Sequence, residues 1–278
     1  AVNGETVIIT FHPHPRKVVR GREDGIRLLT TMEERIRLLD QLGVDHLVVI
    51  PFTEAFAAME AREYVRDFLV SKFHPHTIII GYDHRFGKDR IGDYHLLDEL
   101  APVYGYRIRE IDAQLLDEIS ISSTRIREAL KRGDAGTARE LLGYPYFFDG
   151  TVVEGDKRGR TIGYPTANLE LTDPDKLLPG NGVYAVTVEV EDGDHAGRTF
   201  GGMMNIGYRP TVDGHSLRTE VNLFDFEGLL YGNRLRVNLI SFIRGEEKFS
   251  GLDALRERLR TDRDIATEIL QSTPPEGR

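Results

Sequence analysis

An α/β half followed by an all-β half is the architecture this sequence predicts, and three observations lead there. Up to about Tyr144, short apolar runs alternate with amphipathic stretches of helical period, the pattern of a mostly parallel sheet flanked by helices. Beyond it, segments of period-two alternation are separated by turn residues, the pattern of an antiparallel barrel or closed sheet. A final apolar stripe at helical spacing follows.

In chain order, Val7-Ile8-Ile9-Thr10-Phe11 is a buried strand. Thr30 caps the next helix, Glu33 completes a capping box, and Ile36, Leu39 and Leu42 supply an apolar face. Leu47 to Ile50 is a strand, Arg62 to Lys72 a helix, and Thr77 to Gly81 another strand. Tyr94 to Tyr104 is helical, but Pro102 should end or kink it, because proline lacks an N–H and crowds the preceding turn. Tyr106 to Ile111 is a strand. A helix starting near Ser123 or Thr124 stops at Gly133, and Asp134 to Leu142 forms another, closed by Gly143. Ligands of such sheets gather at the carboxyl ends of the strands.

In the second half Gly182 to Asp192, Leu217 to Phe226 and Arg234 to Ile243 alternate, with Leu235, Val237 and Leu239 on one face. Turns fall at Asp192-Gly193, Asp213-Gly214 and Glu227-Gly228. Ser250 caps the last helix, whose Leu252, Leu255, Leu259, Ala266 and Ile269 are expected to dock on the barrel as core rather than to form a binding groove. The tail from Thr273, with Pro274-Pro275, is expected to be disordered.

Composition excludes some function classes. The 278 residues suffice for two domains, and 40% hydrophobic with 29% charged content is ordinary for a globular protein. No apolar run approaches the ~18 residues of a membrane-spanning helix, and the opening residues do not read as a signal peptide. Without cysteine there is no disulfide, thiolate metal site or cysteine nucleophile, which fits the cytoplasm expected for it. A formal net charge of -9 argues against a nucleic-acid binder that relies on bulk electrostatics. Local Lys and Arg would have to hold an anionic small substrate against that field.

The most informative stretch is Gly155 to Leu169, Gly-Asp-Lys-Arg-Gly-Arg-Thr-Ile-Gly-Tyr-Pro-Thr-Ala-Asn-Leu. Glycines at 155, 159 and 163 let backbone amides approach a bulky anion, and Lys157, Arg158 and Arg160 add positive charge. Thr166 and Asn168 offer the neutral oxygens that a hard cation such as Mg²⁺ accepts. Two readings stand beside each other: a solvated turn of mixed charge, or a nucleotide-phosphate and metal site. It is not a Walker A loop, since no Gly-Lys-Ser/Thr follows, and the lookalike Gly87-Lys88 runs into Asp89.

Further motifs accompany this loop. They are Asn181-Gly182-Val183-Tyr184, Asn205 to Thr211, Glu220-Val221-Asn222-Leu223-Phe224-Asp225-Phe226 and Arg244 to Phe249. The first half adds Thr10-Phe11-His12-Pro13-His14-Pro15, Gly81 to Gly87 and Ile121 to Arg127. Together, over nearly the whole chain, they resemble the bifunctional bacterial riboflavin kinase/FMN adenylyltransferase family, also called FAD synthetase. The resemblance implies a Rossmann-like nucleotidylyltransferase sheet, truncated at its first strand, over residues 1–143. It implies a six-stranded-type riboflavin kinase barrel with a final α-helix over 144–272, and a tail at 273–278.

By the same resemblance, Gly155, Lys157, Gly159 and Gly163 fold over ATP, while Thr166 and Asn168 hold Mg²⁺ (or another divalent cation) and the phosphates. Glu220, on the strand face opposite Val221 and Leu223, is the general base; a solvated sheet face is the plain alternative. Asn205, Arg244, Lys248 and Phe249 approach flavin and nucleotide, with a helix staple the second reading of Phe249. Ser122, Ser123 and Thr124 precede a helix whose first amides, with Arg125 and Arg127, make a phosphate site as well as a cap. His12, Pro13, Asp83, Arg85 and Phe86 belong to the FMN pocket. Between prolines, His12 and His14 shape a loop rather than bind a metal.

The family's first half normally opens with a strand, a Gly-x-Phe-Asp-Gly-x-His-x-Gly-His turn and a helix, which this sequence lacks. The expectation is therefore that the natural protein carries roughly 20–30 further residues upstream, enough for that strand and helix. The chain as written is expected not to adenylylate FMN, because two donors to the ATP triphosphate are missing. The upstream genomic sequence and an assay of FAD formation test these two points. The expected function is riboflavin kinase, with riboflavin, FMN and ATP as small-molecule partners, FMN and FAD as products, no nucleic acid, no membrane, and a monomer or weak oligomer. A non-catalytic flavin-binding or sensing module is the alternative; a nucleic-acid-binding barrel suits neither the acidic balance nor the absence of a basic aromatic strip.

Overall fold

A computed structural model describes residues 3–13, 27–155, 158–211 and 214–273. The chain packs as two compact units, Ala1–Ile26 with Met32–Ser122, and Arg27–Thr31 with Ser123–Arg278. The packing boundary thus falls between Ser122 and Ser123, whereas the sequence predicts a functional boundary at 143/144.

The first unit holds two parallel strand pairs. β1 (Val7–His12) pairs with β2 (His46–Pro51), and β3 (Thr77–Gly81) pairs with β4 (Arg107–Ile111). Parallel neighbours need a crossover, which helix α1 (Met32–Gln41) supplies between β1 and β2. α1 begins at Met32, so the residue before it is Thr31, and the predicted cap at Thr30 falls one position early. Between β2 and β3 lie α2 (Glu54–Ala57), capped by Thr53, and a helical run over residues 61–73 with a π-helical centre at Tyr64–Val70. α3 (Tyr94–Tyr104) starts at Asp93, whose carboxylate accepts from Leu96 N at 3.1 Å. Pro102 does not end this helix. It lies in the last turn, and Gly105, at φ 76°, closes it by donating to Ala101 O. An aromatic chain from Phe11 through Phe56 and Tyr64 to Phe86, at centroid separations of 5.5, 6.0 and 5.2 Å, links the end of β1 to the loop after β3.

One predicted boundary is corrected here. α4 spans Ala113–Lys131, so Ser122, Ser123 and Thr124 lie inside a helix and not at its start. Asp112 holds the true start, accepting from Gln114 N at 2.7 Å, and no Gly or Pro interrupts the run that follows. α5 (Ala135–Leu142) is as predicted: Asp134 accepts from Thr137 N and Gly143, at φ 81°, closes it.

The second unit is dominated by a closed, wholly antiparallel barrel in the order β10-β5-β6-β9-β8-β7. Its strands are β5 (Phe147–Val153), β6 (Ala167–Leu171), β7 (Gly182–Val190), β8 (Thr199–Thr211), β9 (Gly214–Leu223) and β10 (Arg234–Arg244). Leu235, Val237 and Leu239 are fully buried, as their alternation predicts. β8 is hidden in the sequence by glycines that look like breakers. Gly202 is required by close approach, since a Cβ there would stand 2.7 Å from the Asn222 carbonyl. A short helix, α6 (Arg158–Thr161), sits between β5 and β6.

α7 (Leu252–Ser272) packs against β7, β8 and β10. Its cap position is Gly251 and no side chain caps it, which corrects the assignment to Ser250; a fully extended Gly251 (φ 179°, ψ 178°) separates that serine from the first turn. Pro274-Pro275 lies outside the described residues.

Candidate functional site

The row that matters is set by strand register. Asn168 on β6 lies directly opposite Glu220 on β9, and Glu220 lies directly opposite Asn205 on β8. Directly opposed residues share a sheet face, so the three side chains leave the barrel wall together. Val221 and Leu223, of opposite parity, are buried in the barrel core. Alternation therefore gives β9 an apolar inner face and a polar outer one.

Glu220 and Asn205 line a cavity of about 300 Å³ together with Thr166, Gly159, Asn222 and Arg244. Its apolar wall comes from Ile162, Val183, Met203, Met204, Leu255 and Leu259, and Phe249 borders it. Three carboxylates (Glu220, Glu246 and Glu247), the Thr166 hydroxyl and two carboxamides thus meet a surface suited to a flat apolar ring. Leu255 and Leu259 belong to the α7 stripe, so its first turns form part of a groove after all, while Ala266 further along is fully buried against the barrel.

Two glycines of the glycine-rich loop, Gly155 and Gly159, pack without slack. A Cβ on Gly155 would stand 2.0 Å from Asn168 Nδ2, and one on Gly159 would stand 2.2 Å from Tyr164 O. Gly163 has φ 85° and open space around it, so its requirement is the turn itself. Lys157 lies outside the described residues.

Arg244 borders the cavity, but its guanidinium is already engaged. Nε and Nη2 reach the fully buried Asp262 carboxylate at 2.7–3.0 Å, Nη1 donates to Gly245 O at 2.9 Å, and the group lies 5.7 Å from the Phe249 ring centroid. Arg258 binds Asp262 at 3.3 Å and Glu247 at 3.4 Å. This charge cluster clasps the end of β10 to α7 beside the cavity mouth. Lys248 is exposed and does not line the cavity. The sequence missed Asn222, Glu246 and Glu247 as cavity residues, although all three stand inside the quoted motifs.

In the first unit the candidate residues fall on strand ends. His12 closes β1 and, with Pro13, is exposed; Asp83 and Arg85 are exposed on the loop after β3. Arg85 Nη1 turns back on that loop, 3.1 Å from His84 O. Phe86 is buried against Tyr64, a core position rather than a pocket wall. Local desolvation holds the neighbouring His84, although the residue is exposed, below its usual range, favouring the neutral ring. In the second unit, Arg127 donates from Nη1 to Arg27 O. With Ser122, Ser123 and Thr124 inside α4, their amides belong to the helix ladder, and the helix-start argument for a phosphate site no longer holds.

Among the described residues no group of three or more His, Cys, Asp or Glu is arranged to hold a metal ion. Thr166, Glu220, Glu246, Glu247 and the carboxamides of Asn205 and Asn222 bring side-chain oxygens to the cavity, while Asn168 stands beside Glu220 in the ladder but does not line it.

Comparison with known proteins agrees over both units. A riboflavin kinase family profile matches residues 142–270, and an FAD synthetase profile matches residues 1–125. The bifunctional riboflavin kinase/FMN adenylyltransferase of Listeria monocytogenes is 37% identical, over 93% of this chain and 80% of its own length. That of Escherichia coli (strain K12) is 36% identical, over 98% and 85%. Among solved structures, a Streptococcus pneumoniae protein titled a macrolide-efflux protein matches with a TM-score of 0.79 and 32% identity, over 95% of this chain and 83% of its own. No helix among the described residues is long and apolar enough to cross a membrane.

Proposed function

This chain belongs to the bifunctional riboflavin kinase/FMN adenylyltransferase family, and we propose that it phosphorylates riboflavin in the cavity between the barrel wall and α7. It is a transferase of flavin biosynthesis that makes FMN from riboflavin and ATP, and its family joins this reaction to the conversion of FMN to FAD. Residues 144–272 are the proposed kinase and residues 1–143 the proposed adenylyltransferase half.

One observation carries the site assignment: Glu220 faces Asn168 across the ladder and shares its cavity with Thr166. In the proposed step the riboflavin 5′-hydroxyl oxygen attacks the γ-phosphorus in line. The bond from that phosphorus to the bridging oxygen of ADP breaks, and Glu220 takes the hydroxyl proton. Such transfer depends mainly on alignment and charge stabilisation. Thr166 and Asn168, with the ATP phosphates, would hold Mg²⁺ or another divalent cation, which supplies charge neutralisation when bound. Neutral oxygens close to the Glu220 carboxylate fit that role, because Mg²⁺ commonly takes few protein ligands and completes its shell with phosphate and water. The apolar wall excludes water from beside the reacting oxygen and gives the flavin ring its contact surface. The glycine turn brings backbone close to the phosphates, and Phe249 covers a ring edge.

Glu220→Ala should lower FMN formation by ~10²–10⁴-fold, the usual worth of a general base, with ATP binding mostly retained. Unchanged turnover would remove the assignment. A binding-only module is not favoured, since flavin binding requires no carboxylate at that position and the curated relatives are named as enzymes. We place the protein in the cytoplasm, as a monomer or weak oligomer with small-molecule partners only.

A further inference from the structure

We infer that Asn222 is a positioning residue that sets where Thr166 stands relative to Glu220, an inference that rests on the assignment of those two residues to phosphoryl transfer. β6 pairs with β9 only as far as Ala167, opposite Val221. Upstream of that pair the backbone has left the ladder, and Pro165 has no N–H to offer a neighbouring strand. Its carbonyl is met by a side chain instead: Asn222 Nδ2 donates to Pro165 O at 2.6 Å.

Asn222 is 5% exposed, lies two residues beyond Glu220 on β9, and borders the same cavity. Residues two apart on a strand leave the same face. Thr166 therefore sits between two fixed points, the Ala167–Val221 pair on one side and the Asn222–Pro165 hydrogen bond on the other. The turn upstream cannot take up slack, because Gly159 already packs onto the Tyr164 carbonyl. One strand thus carries both the carboxylate and the group that fixes the hydroxyl-bearing loop. The spacing of Glu220 and Thr166 is then a property of β9 rather than of the exposed loop.

A double-mutant cycle on the full chain tests this, reading FMN formation from riboflavin, ATP and Mg²⁺. Asn222→Ala removes the donor, and Asn222→Asp turns an acceptor toward the carbonyl. Either should lower kcat by about 10- to 100-fold, the scale of a small misplacement of reacting groups. The Mg²⁺ concentration giving half-maximal rate should rise while the riboflavin KM stays nearly constant. Added to Thr166→Ala, Asn222→Ala should cost nothing further. Unchanged kcat and Mg²⁺ dependence, or two losses that multiply independently, would overturn the inference. So would a loss of rate that only tracks loss of folded protein by circular dichroism. If the Asp variant does not fold, Asn222→Leu, which has no donor, carries the same comparison. A fully active Thr166→Ala would bring down the site assignment itself, whereas an impaired Thr166→Ala beside a silent Asn222→Ala sinks only the positioning role.

Discussion

The barrel hides its apolar strand residues, and the parallel pairs expose many of theirs. Val186, Val188, Leu235, Val237 and Leu239 are fully buried, while Ile79 on β3 is 60% exposed and Val7 on β1 is 41% exposed. Each barrel strand has a hydrogen-bonded neighbour on both sides, whereas among the described residues β1 to β4 each have one. Closing the ring removes edges, so register is dictated from two directions and a row such as Asn168–Glu220–Asn205 has little freedom to slip. The first unit's candidates stand at strand ends and on loops, where Asp83 and Arg85 are exposed. Positioning by a ladder and positioning by a loop are different mechanical situations.

Three substitutions sharpen or break that contrast. The largest expected effect comes from Met204→Ala, which empties a fully buried barrel site and should cost about 2–5 kcal/mol. Its counterpart Ile79→Ala, on the exposed face of β3, should stay within about 0.5 kcal/mol. Urea unfolding followed by circular dichroism measures both, and equal losses would erase the contrast. Gly155→Ala comes next. The new methyl group must displace Asn168, so FMN formation should fall about tenfold while the unfolding midpoint barely moves, as for a small misalignment of reacting groups. Full activity would mean that Asn168 has room the packing denies it.

The smallest effect concerns helix caps, which are local and should not distinguish the units. Asp134→Ala on α5 and Asp93→Ala on α3 should each cost about 1 kcal/mol. The hydrogen bond from the Thr137 amide holds the Asp134 carboxyl below the usual carboxylate range. A carboxylate with a lowered folded-state pKa stabilises above its unfolded value, and that contribution is lost as pH falls through the folded one. Thermal melts of wild type and Asp134→Ala should therefore differ at neutral pH and converge in acid once pH has fallen through the lowered folded-state pKa of Asp134. A difference that survives there would assign the effect to something other than the cap's charge.

Much of this arrangement was legible because periodicity and turn chemistry agree with the fold. Strand β10, helix α5 with both its caps, and the outward face of Glu220 follow from alternation, Asp-to-Gly punctuation and parity. What was not legible depends on partners remote in sequence. Nothing near Ser122 says that Asp112 has already started the helix, and serines tolerate helix interiors as well as caps. The glycines of β8 look like breakers until the Asn222 carbonyl is seen against Gly202. Arg244 looks like an anion ligand until Asp262, at the middle of α7, is seen to hold it. Asn222 stood inside a quoted motif, but its hydrogen bond to Pro165 O exists only once β6 and β9 have met.

The seam between β5 and β10 has a consequence for biosynthesis. The first barrel strand to leave the ribosome finds one of its two neighbours only in the last, and the cavity wall also draws on α7 beyond it. Long-range pairing of this kind pays its chain-closure cost late, so a nascent polypeptide carries an open, unfinished ring for most of its synthesis. The cavity proposed for riboflavin is not closed until translation is nearly over, and a chain released early enough to lack α7 would have a ring without that wall.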